Sequence, residues 1–157
     1  MPEYVDQAQV DAFWVAFCEE QPAAAAAGFS AWAFGDNPDL ANELAHLVKT
    51  GLKTATCGSL LEMQATGEEM PRVGGYSIIL DGQGQPVCII RTDEVIITPF
   101  NEVGADFAFD EGENDRSLTS WREGHWKFFT RIHAVVNLEM NDSIPLVCER
   151  FHKVFPV

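Results

Sequence analysis

The sequence predicts an α+β fold in which long strands curl into a small barrel flanked by helices. Residues 76–80 and 87–98 are rich in apolar residues and have the composition of β-strands. Between them, residues 81–85 supply the glycines that a hairpin loop needs for positive φ, which predicts an antiparallel pair. Strands this long, joined by a hairpin and flanked by separate helical segments, favour an α+β architecture with a curled sheet.

Two helices are predicted from apolar periodicity. Val10, Phe13, Trp14 and Phe17 recur at helical spacing, which indicates an amphipathic helix over roughly residues 5–20. A long helix over roughly residues 117–131 is predicted in the same way. Its apolar stripe consists of Leu118, Trp121, His125, Phe128, Phe129 and Ile132. We interpret both stripes as faces packed against the core.

A further helix, between these two in the chain, is predicted from its ends. Asp36-Asn37-Pro38 provides a capping side chain and a proline for the first turn, and Gly51 is a natural stop. The remaining segments are assigned from their composition. We expect an irregular connection at 22–28, a short helical turn at 59–63 and a final strand or two over 144–155.

Length and composition predict a single folded unit. The chain has 157 residues, of which 46% are hydrophobic, and this is enough to build one well-filled core. No apolar run approaches the ~20 residues that cross a bilayer. The N-terminus also lacks the basic segment of a secretory signal. We therefore expect a soluble, cytoplasmic protein without a membrane partner.

The four cysteines predict neither a disulfide framework nor a zinc site. Cys18, Cys57, Cys88 and Cys148 are widely spaced, form no Cys-x-x-Cys pair, and have no histidine at zinc-ligand spacing. We interpret them as reduced core thiols. We predict no metal ligands and no cofactor, and leave a divalent metal open.

The charge balance disfavours long polyanions. The chain carries 24 acidic and 10 basic residues, for a formal net charge of −14. Tight, non-specific binding to long nucleic acid normally requires a basic face, and no run of Lys or Arg supplies one. A basic patch would have to be assembled by the fold from single residues.

The most informative motif is Gly51-Leu52-Lys53-Thr54-Ala55-Thr56, directly after the helix that starts near residue 38. A strand would send Lys53 and Thr56 to opposite faces, whereas a turn brings residues i and i+3 together. The spacing therefore predicts a turn with a shared pocket. A lysine among apolar neighbours can lose its proton readily, or act as a fixed charge beside an anionic group. The alternative is a solvated loop lysine.

A second motif is acidic, with five carboxylates over residues 106–115. A calcium loop needs alternating ligands around an obligatory glycine and a distal Glu, and this register lacks them. We interpret the segment as a solvated loop whose charges favour the start of the following helix. In the functional interpretation, Glu113 turns inward to meet Lys53, and the two tune each other's pKa values. His125 is a core histidine or a proton carrier.

Taken in order, these motifs resemble the ASCH domain family, whose members have a PUA-like barrel. The resemblance rests on the segments 51–56, 32–36, 111–118, Trp121-Arg122, His125 and 147–151. It covers most of the chain after residue 30. It therefore implies a small PUA-like β-barrel flanked by helices, in a single domain over residues 1–157. Residues 1–30 fit the N-terminal helical extension of the longer, bacterial-type members.

The resemblance also implies a ligand, namely RNA or a modified nucleoside or nucleotide. The family includes proteins with ribonuclease activity and a shorter amidohydrolase that deacetylates acetylcytidine. The catalytic Lys, Thr and Glu of that amidohydrolase fall, by motif, on Lys53, Thr56 and Glu113. Glu111, two residues away, stays an alternative for the Glu. An Arg that short members often carry after the Thr is absent here, where Cys57 follows.

Three functions stay open at this point. The leading expectation is hydrolysis of single-stranded RNA, with Lys53 stabilising phosphate charge. The second is amide hydrolysis of acetylcytidine, with Glu113 or a neutral Lys53 as base. The third is a non-catalytic module in which an aromatic such as Trp32 or Tyr76 stacks a base. Candidate substrate-binding residues are Trp32, Arg72, Arg91, Arg116 and His125. We expect Lys53→Ala to abolish activity and leave the fold intact.

Overall fold

The computed structural model describes residues 2–157, whose strands form one five-stranded sheet in the order β1-β3-β4-β5-β2. The strands are β1 Ser30–Ala33, β2 Ala55–Ser59, β3 Tyr76–Leu80, β4 Pro86–Pro99 and β5 Pro145–Phe155. β1 runs parallel to β3, and the other neighbours are antiparallel. The sheet curls into a half-barrel whose edges are β1 and β2. The predicted α+β class and the antiparallel pairing of β3 with β4 are confirmed.

Five α-helices surround this sheet: α1 Gln7–Glu20, α2 Pro38–Lys49, α3 Leu60–Thr66, α4 Ala105–Glu111 and α5 Leu118–Val135. Short 3-10 turns cover Pro22–Ala24 and Phe100–Glu102. Among the described residues, no helix is both long and apolar enough to cross a membrane.

Two sequence-based expectations about local structure were wrong. The acidic segment begins as the helix α4 and not as a solvated loop, because Phe107 and Ala108 are buried and hold this stretch against the core. The second half of the lysine motif is the edge strand β2 and not a turn. β1 was also missed. A strand of only four residues leaves little periodicity to detect.

The helices pack on opposite faces of the sheet. α2 buries Leu44, Ala45 and Val48 against one face, where they meet Ile90 and Phe151. α1 packs its buried residues Val10, Trp14 and Phe17 on the other face of β3 and β4. α4 and α5 cover the same face as α1 farther along, over β5 and β2. The end of α2 and the end of α4 therefore both lie beside the edge strand β2.

The start of α2 has the cap that the sequence predicted. The Asn37 side chain accepts a hydrogen bond from the Leu40 amide at 2.9 Å, and Pro38 occupies the first turn. The helix ends at Lys49, and Gly51 follows with a φ of +84°, in the left-handed region that glycine enters without strain. The cap and the stop together set where the next segment leaves the helix.

We predict that Asn37→Ala lowers the free energy of unfolding by about 1 kcal/mol, because the Leu40 amide loses its acceptor. Urea denaturation followed by circular dichroism measures the change. Asn37→Asp, which retains an acceptor oxygen, is the matched control and should stay close to the parent protein. Equal losses in the two variants would contradict a capping role for this side chain.

Candidate active site

The segment that carries Lys53 is held by the backbone on three sides. The amides of Leu52 and Lys53 both donate to the Leu47 carbonyl of α2, at 2.9 and 3.0 Å. The Thr54 amide donates to the Asp110 carbonyl of α4 at 2.8 Å, and the Thr54 carbonyl accepts from the Phe151 amide of β5 at 3.0 Å. This short linker is therefore positioned by a helix end, a second helix and a strand.

The Lys53 ammonium is buried between two carboxylates. The residue is only 1% exposed, and its Nζ lies 2.9 Å from Oε2 of Glu113 and 3.1 Å from Oε1 of Glu111. Nζ also donates to the Glu111 backbone carbonyl at 3.4 Å, and it lies 5.4 Å from the ring centre of Phe34. All three ammonium protons thus have acceptors. The expected contact between Lys53 and Glu113 is present, and Glu111 joins it.

Glu111 is the hub of the cluster. It is 1% exposed, and its Oε2 accepts hydrogen bonds from Trp121 Nε1 and from the Cys57 thiol, the latter at 3.5 Å. The same oxygen lies 3.2 Å from His125 Nε2. His125 in turn stacks on Trp121 with ring centres 4.3 Å apart, and its Nδ1 lies 2.9 Å from the Trp121 carbonyl. One carboxylate therefore links the lysine segment to β2 and to α5.

The charges in the cluster stabilise one another. Burial by itself lowers the pKa of Lys53, but the carboxylates of Glu111 and Glu113 more than offset it, so the pKa is raised above its ordinary value. Burial raises the pKa of Glu111, and the charges of Lys53 and His125 reverse this to a net lowering. At neutral pH, Lys53 is therefore an ammonium and Glu111 a carboxylate. Lys53 cannot act as a neutral base in this arrangement.

The glycine between the two glutamates is required by the backbone. Gly112 ends α4 with a φ of +71°, in the left-handed region. A Cβ built at this position would lie 2.5 Å from the Leu52 carbonyl oxygen and 3.1 Å from the Lys53 Cα. Only glycine lets the end of α4 approach the lysine segment this closely. This approach is what allows Glu111 and Glu113, on either side of it, to reach the same ammonium.

Thr56 does not share this cluster, because β2 is a strand. Alternation along β2 sends Cys57 toward Glu111 and Thr56 to the opposite face. There Thr56 is half-buried and is the cross-strand partner of Glu149. The predicted turn is therefore wrong at Thr56, which lies in a strand, and a pocket shared by Lys53 and Thr56 stays a prediction. The catalytic role assigned to Thr56 stays a prediction.

Glu149 is a site residue that the sequence reasoning missed. It is buried, and its Oε2 accepts a hydrogen bond from Thr92 Oγ1 at 2.6 Å. Burial raises its pKa, and the Thr92 hydrogen bond and the charge of Lys53 offset this only in part. The charge of Lys53 is therefore felt on both faces of β2. Val147 and Phe151, two residues before and after Glu149, are apolar and buried, so the period of two along this strand could have indicated an inward-facing glutamate.

The candidate substrate-binding residues lie in different places. His125 belongs to the cluster, and Trp32 is half-buried on β1, 4.7 Å from Phe34 between ring centres. Arg116 donates to the Phe109 carbonyl at 2.9 Å and stacks on the Phe109 ring, so it braces the end of α4. Arg91 is exposed and lies over Tyr76, 5.8 Å from the ring centre. Arg72 is exposed in the loop before β3.

The family follows from comparison with known proteins. The model of the ASCH domain matches residues 30–155. The chain belongs to the ASCH domain family. An ASCH domain crystal structure from Lactobacillus crispatus JV V101 is 30% identical, with a TM-score of 0.87 and 96% of each chain covered. The crystal structure of protein EF3133 from Enterococcus faecalis V583 is 38% identical, with a TM-score of 0.84, covering 94% of this chain and 89% of that one.

The ASCH assignment confirms the resemblance inferred from the motifs. ASCH domains have a PUA-like fold, which is often linked to RNA binding. No curated protein matches the chain. The matched range begins at β1, so the helix α1 lies outside it. α1 packs on the face of the sheet opposite α2.

We predict that Gly112→Ala lowers the free energy of unfolding by about 1–3 kcal/mol, because alanine is strained at this φ and its Cβ meets the Leu52 carbonyl. Gly124→Ala is the control. Gly124 lies on the exposed side of α5, and a Cβ there would meet nothing within 4 Å. This control should gain about 0.5–1 kcal/mol from helix propensity. Equal effects of the two substitutions would contradict the close approach of Gly112 to the Leu52 carbonyl.

The stability that His125 contributes should depend on pH. Burial lowers the pKa of His125, but the charge and hydrogen bond of Glu111 dominate and raise it above the ordinary 6.5. A raised folded-state pKa contributes stability that is fully present below the unfolded-state pKa and is lost as pH rises through the folded-state pKa. We therefore expect the stability difference between the parent protein and His125→Gln to be largest near pH 5.5 and to shrink toward pH 9.

Urea denaturation of both proteins across that pH range measures this difference. His152→Gln is the control, because His152 is exposed and pairs with the exposed Asp93. A difference for His125→Gln that grew with pH would show that the imidazole is held neutral in the folded protein.

Proposed function

We propose that this ASCH protein is a hydrolase for an uncharged, nucleoside-sized amide, of which acetylated cytidine is the test substrate. The observation that carries the proposal is the Lys53–Glu113 pair at 2.9 Å, in which the lysine is 1% exposed and the glutamate 20% exposed. The pair offers a fixed cation beneath a carboxylate that solvent reaches. Such a pair can stabilise an oxyanion and activate water in one place.

The charge of the site supports an uncharged substrate. One ammonium is surrounded by two carboxylates, so the cluster of Lys53, Glu111 and Glu113 is net negative, and it is neutral together with a protonated His125. A phosphodiester brought to this position would meet no excess positive charge. Nearby cations are also engaged, because Arg150 pairs with Asp110 and Asp106, and Arg116 stacks on Phe109. Cleavage of single-stranded RNA stays a prediction that these charges do not support.

The proposed reaction assigns one role to each group. Glu113 takes a proton from water, and the resulting hydroxide attacks the acetyl carbonyl carbon. Lys53 stabilises the oxyanion with the N–H that otherwise makes its longest hydrogen bond, 3.4 Å to the Glu111 backbone carbonyl. The protonated Glu113 then gives its proton to the leaving amine as the carbon–nitrogen bond breaks. The products are acetate and the free amino nucleoside. Thr56 lies on the opposite face of β2 and is given no step in this reaction.

The burial of Lys53 changes one expectation about mutagenesis. Removing this lysine leaves the carboxylate of Glu111 buried without its cation, and this is strongly destabilising in proteins. Lys53→Ala is therefore expected to lower stability as well as activity, contrary to the intact fold expected from the sequence. Glu113→Gln is the better probe. It preserves the size of the side chain and alters the more exposed partner.

We predict that Glu113→Gln lowers kcat for deacetylation of acetylcytidine by about 10²–10⁴-fold, the usual contribution of a general base. Mass spectrometry of the released nucleoside measures the rate. Glu123→Gln, on the exposed side of α5, should retain the parent rate. The rate should also hardly change with ionic strength, whereas RNA held through several phosphates would be released by salt.

Single-stranded RNA is assayed in parallel. Glu113-dependent RNA fragments without deacetylation would overturn the proposal in favour of a ribonuclease. The absence of both products would leave the binding-module interpretation in the lead.

A further inference from the structure

We propose that Cys57, Glu111 and His125 form a binding site for a divalent metal ion of the Zn²⁺ type. Their donor atoms, one sulfur, one carboxylate oxygen and one imidazole nitrogen, all lie within 4.8 Å of one another. The three residues come from β2, α4 and α5, so the site exists only in the folded chain. The proposal does not depend on the hydrolysis proposed above.

Two of the three donor separations match tetrahedral zinc geometry, and the third, between Cys57 Sγ and His125 Nε2, is below 4.8 Å. Cys57 Sγ lies 3.5 Å and His125 Nε2 lies 3.2 Å from Oε2 of Glu111. Zn–S bonds are about 2.3 Å long and Zn–N or Zn–O bonds about 2.0–2.1 Å. In a tetrahedral site, a carboxylate oxygen is therefore roughly 3.3–3.5 Å from the nitrogen or sulfur ligand. The side chains therefore need only small shifts to accept the ion. Water would complete the fourth position.

Two of the three ligands, His125 and Glu111, are oriented by further contacts, as metal ligands usually are. His125 Nδ1 lies 2.9 Å from the Trp121 carbonyl, and a hydrogen bond there leaves Nε2 to face the other donors. The Glu111 carboxylate is held by Lys53 at Oε1 and by Trp121 at Oε2. The stack of His125 on Trp121 fixes the plane of the imidazole. These contacts give the donor set the rigidity that a metal site requires.

The chemistry of the donors selects the class of ion. Thiolate and imidazole favour Zn²⁺ and its analogue Co²⁺, whereas Ca²⁺ and Mg²⁺ prefer oxygen ligands alone. Binding requires the thiolate of Cys57 and a neutral His125, so it releases the thiol proton and any proton held on His125 Nε2. The thiolate, Glu111 and Glu113 then carry three negative charges, which balance the ion together with Lys53. The buried cluster would thus hold the metal without net charge.

The test is a titration of the reduced protein with Co²⁺, followed by absorption. We expect saturation at one equivalent and a thiolate-to-cobalt charge-transfer band in the near ultraviolet. Zn²⁺ should displace the cobalt and abolish the band. Because the Cys57 thiol must lose its proton, the apparent affinity should increase with pH. Binding without a thiolate band, or no saturable binding of either ion, would overturn the proposal.

Variants assign the ligands. Cys57→Ser should lose the band and weaken Zn²⁺ binding by at least about 100-fold, more than is usual for loss of an outer contact. Cys18→Ser, on α1, is the matched control and should keep both. If Cys57→Ser does not fold, X-ray absorption of the zinc-loaded parent protein decides instead. One sulfur among the ligands supports the proposal, and a shell of only nitrogen and oxygen overturns it.

Discussion

The ammonium of Lys53 is the constraint around which this end of the molecule is built. A buried cation is tolerated only when it is paired and hydrogen-bonded, and here two glutamates and a backbone carbonyl supply three acceptors. Meeting that requirement brings the end of α4 against the linker before β2, which in turn requires Gly112. The ion pair and the glycine are therefore two aspects of the same packing.

The half-barrel gives this cluster its location. β1 and β2 are the two edges of the sheet, and Lys53 enters β2 while Phe34 leaves β1. The contact of Nζ with the Phe34 ring therefore joins the residue that follows one edge strand to the segment that precedes the other. Because side chains alternate along β2, its two faces have different neighbours. Cys57 belongs to the charged cluster, and Thr56 is the cross-strand partner of Glu149 on the other face.

Much of the fold could be predicted because its signals are local. The Asn37 cap, the hairpin glycines and the helical stripe of α5 each depend on a few adjacent residues. The site was harder to predict because its contacts are distant in sequence. Glu113 was expected near Lys53. The central position of Glu111 was not, because it depends on contacts with Cys57, Trp121 and His125, and no sequence-spacing rule relates Cys57 to the other two. Sequence motifs for metal sites rely on ligands a few residues apart. The ligands proposed here are residues 57, 111 and 125, so no such motif would detect them.

The position of β5 determines when the site can form during biosynthesis. β5 lies between β4 and β2, although it is the last of the five strands in the chain. β2 therefore has no strand to join until β5 has left the ribosome, and Thr54 has no Phe151 amide to accept from. Until β5 is available, a nascent chain that already contains Lys53, Glu111 and His125 keeps these charged groups exposed to water. The charged cluster is thus one of the last parts of the protein to be buried.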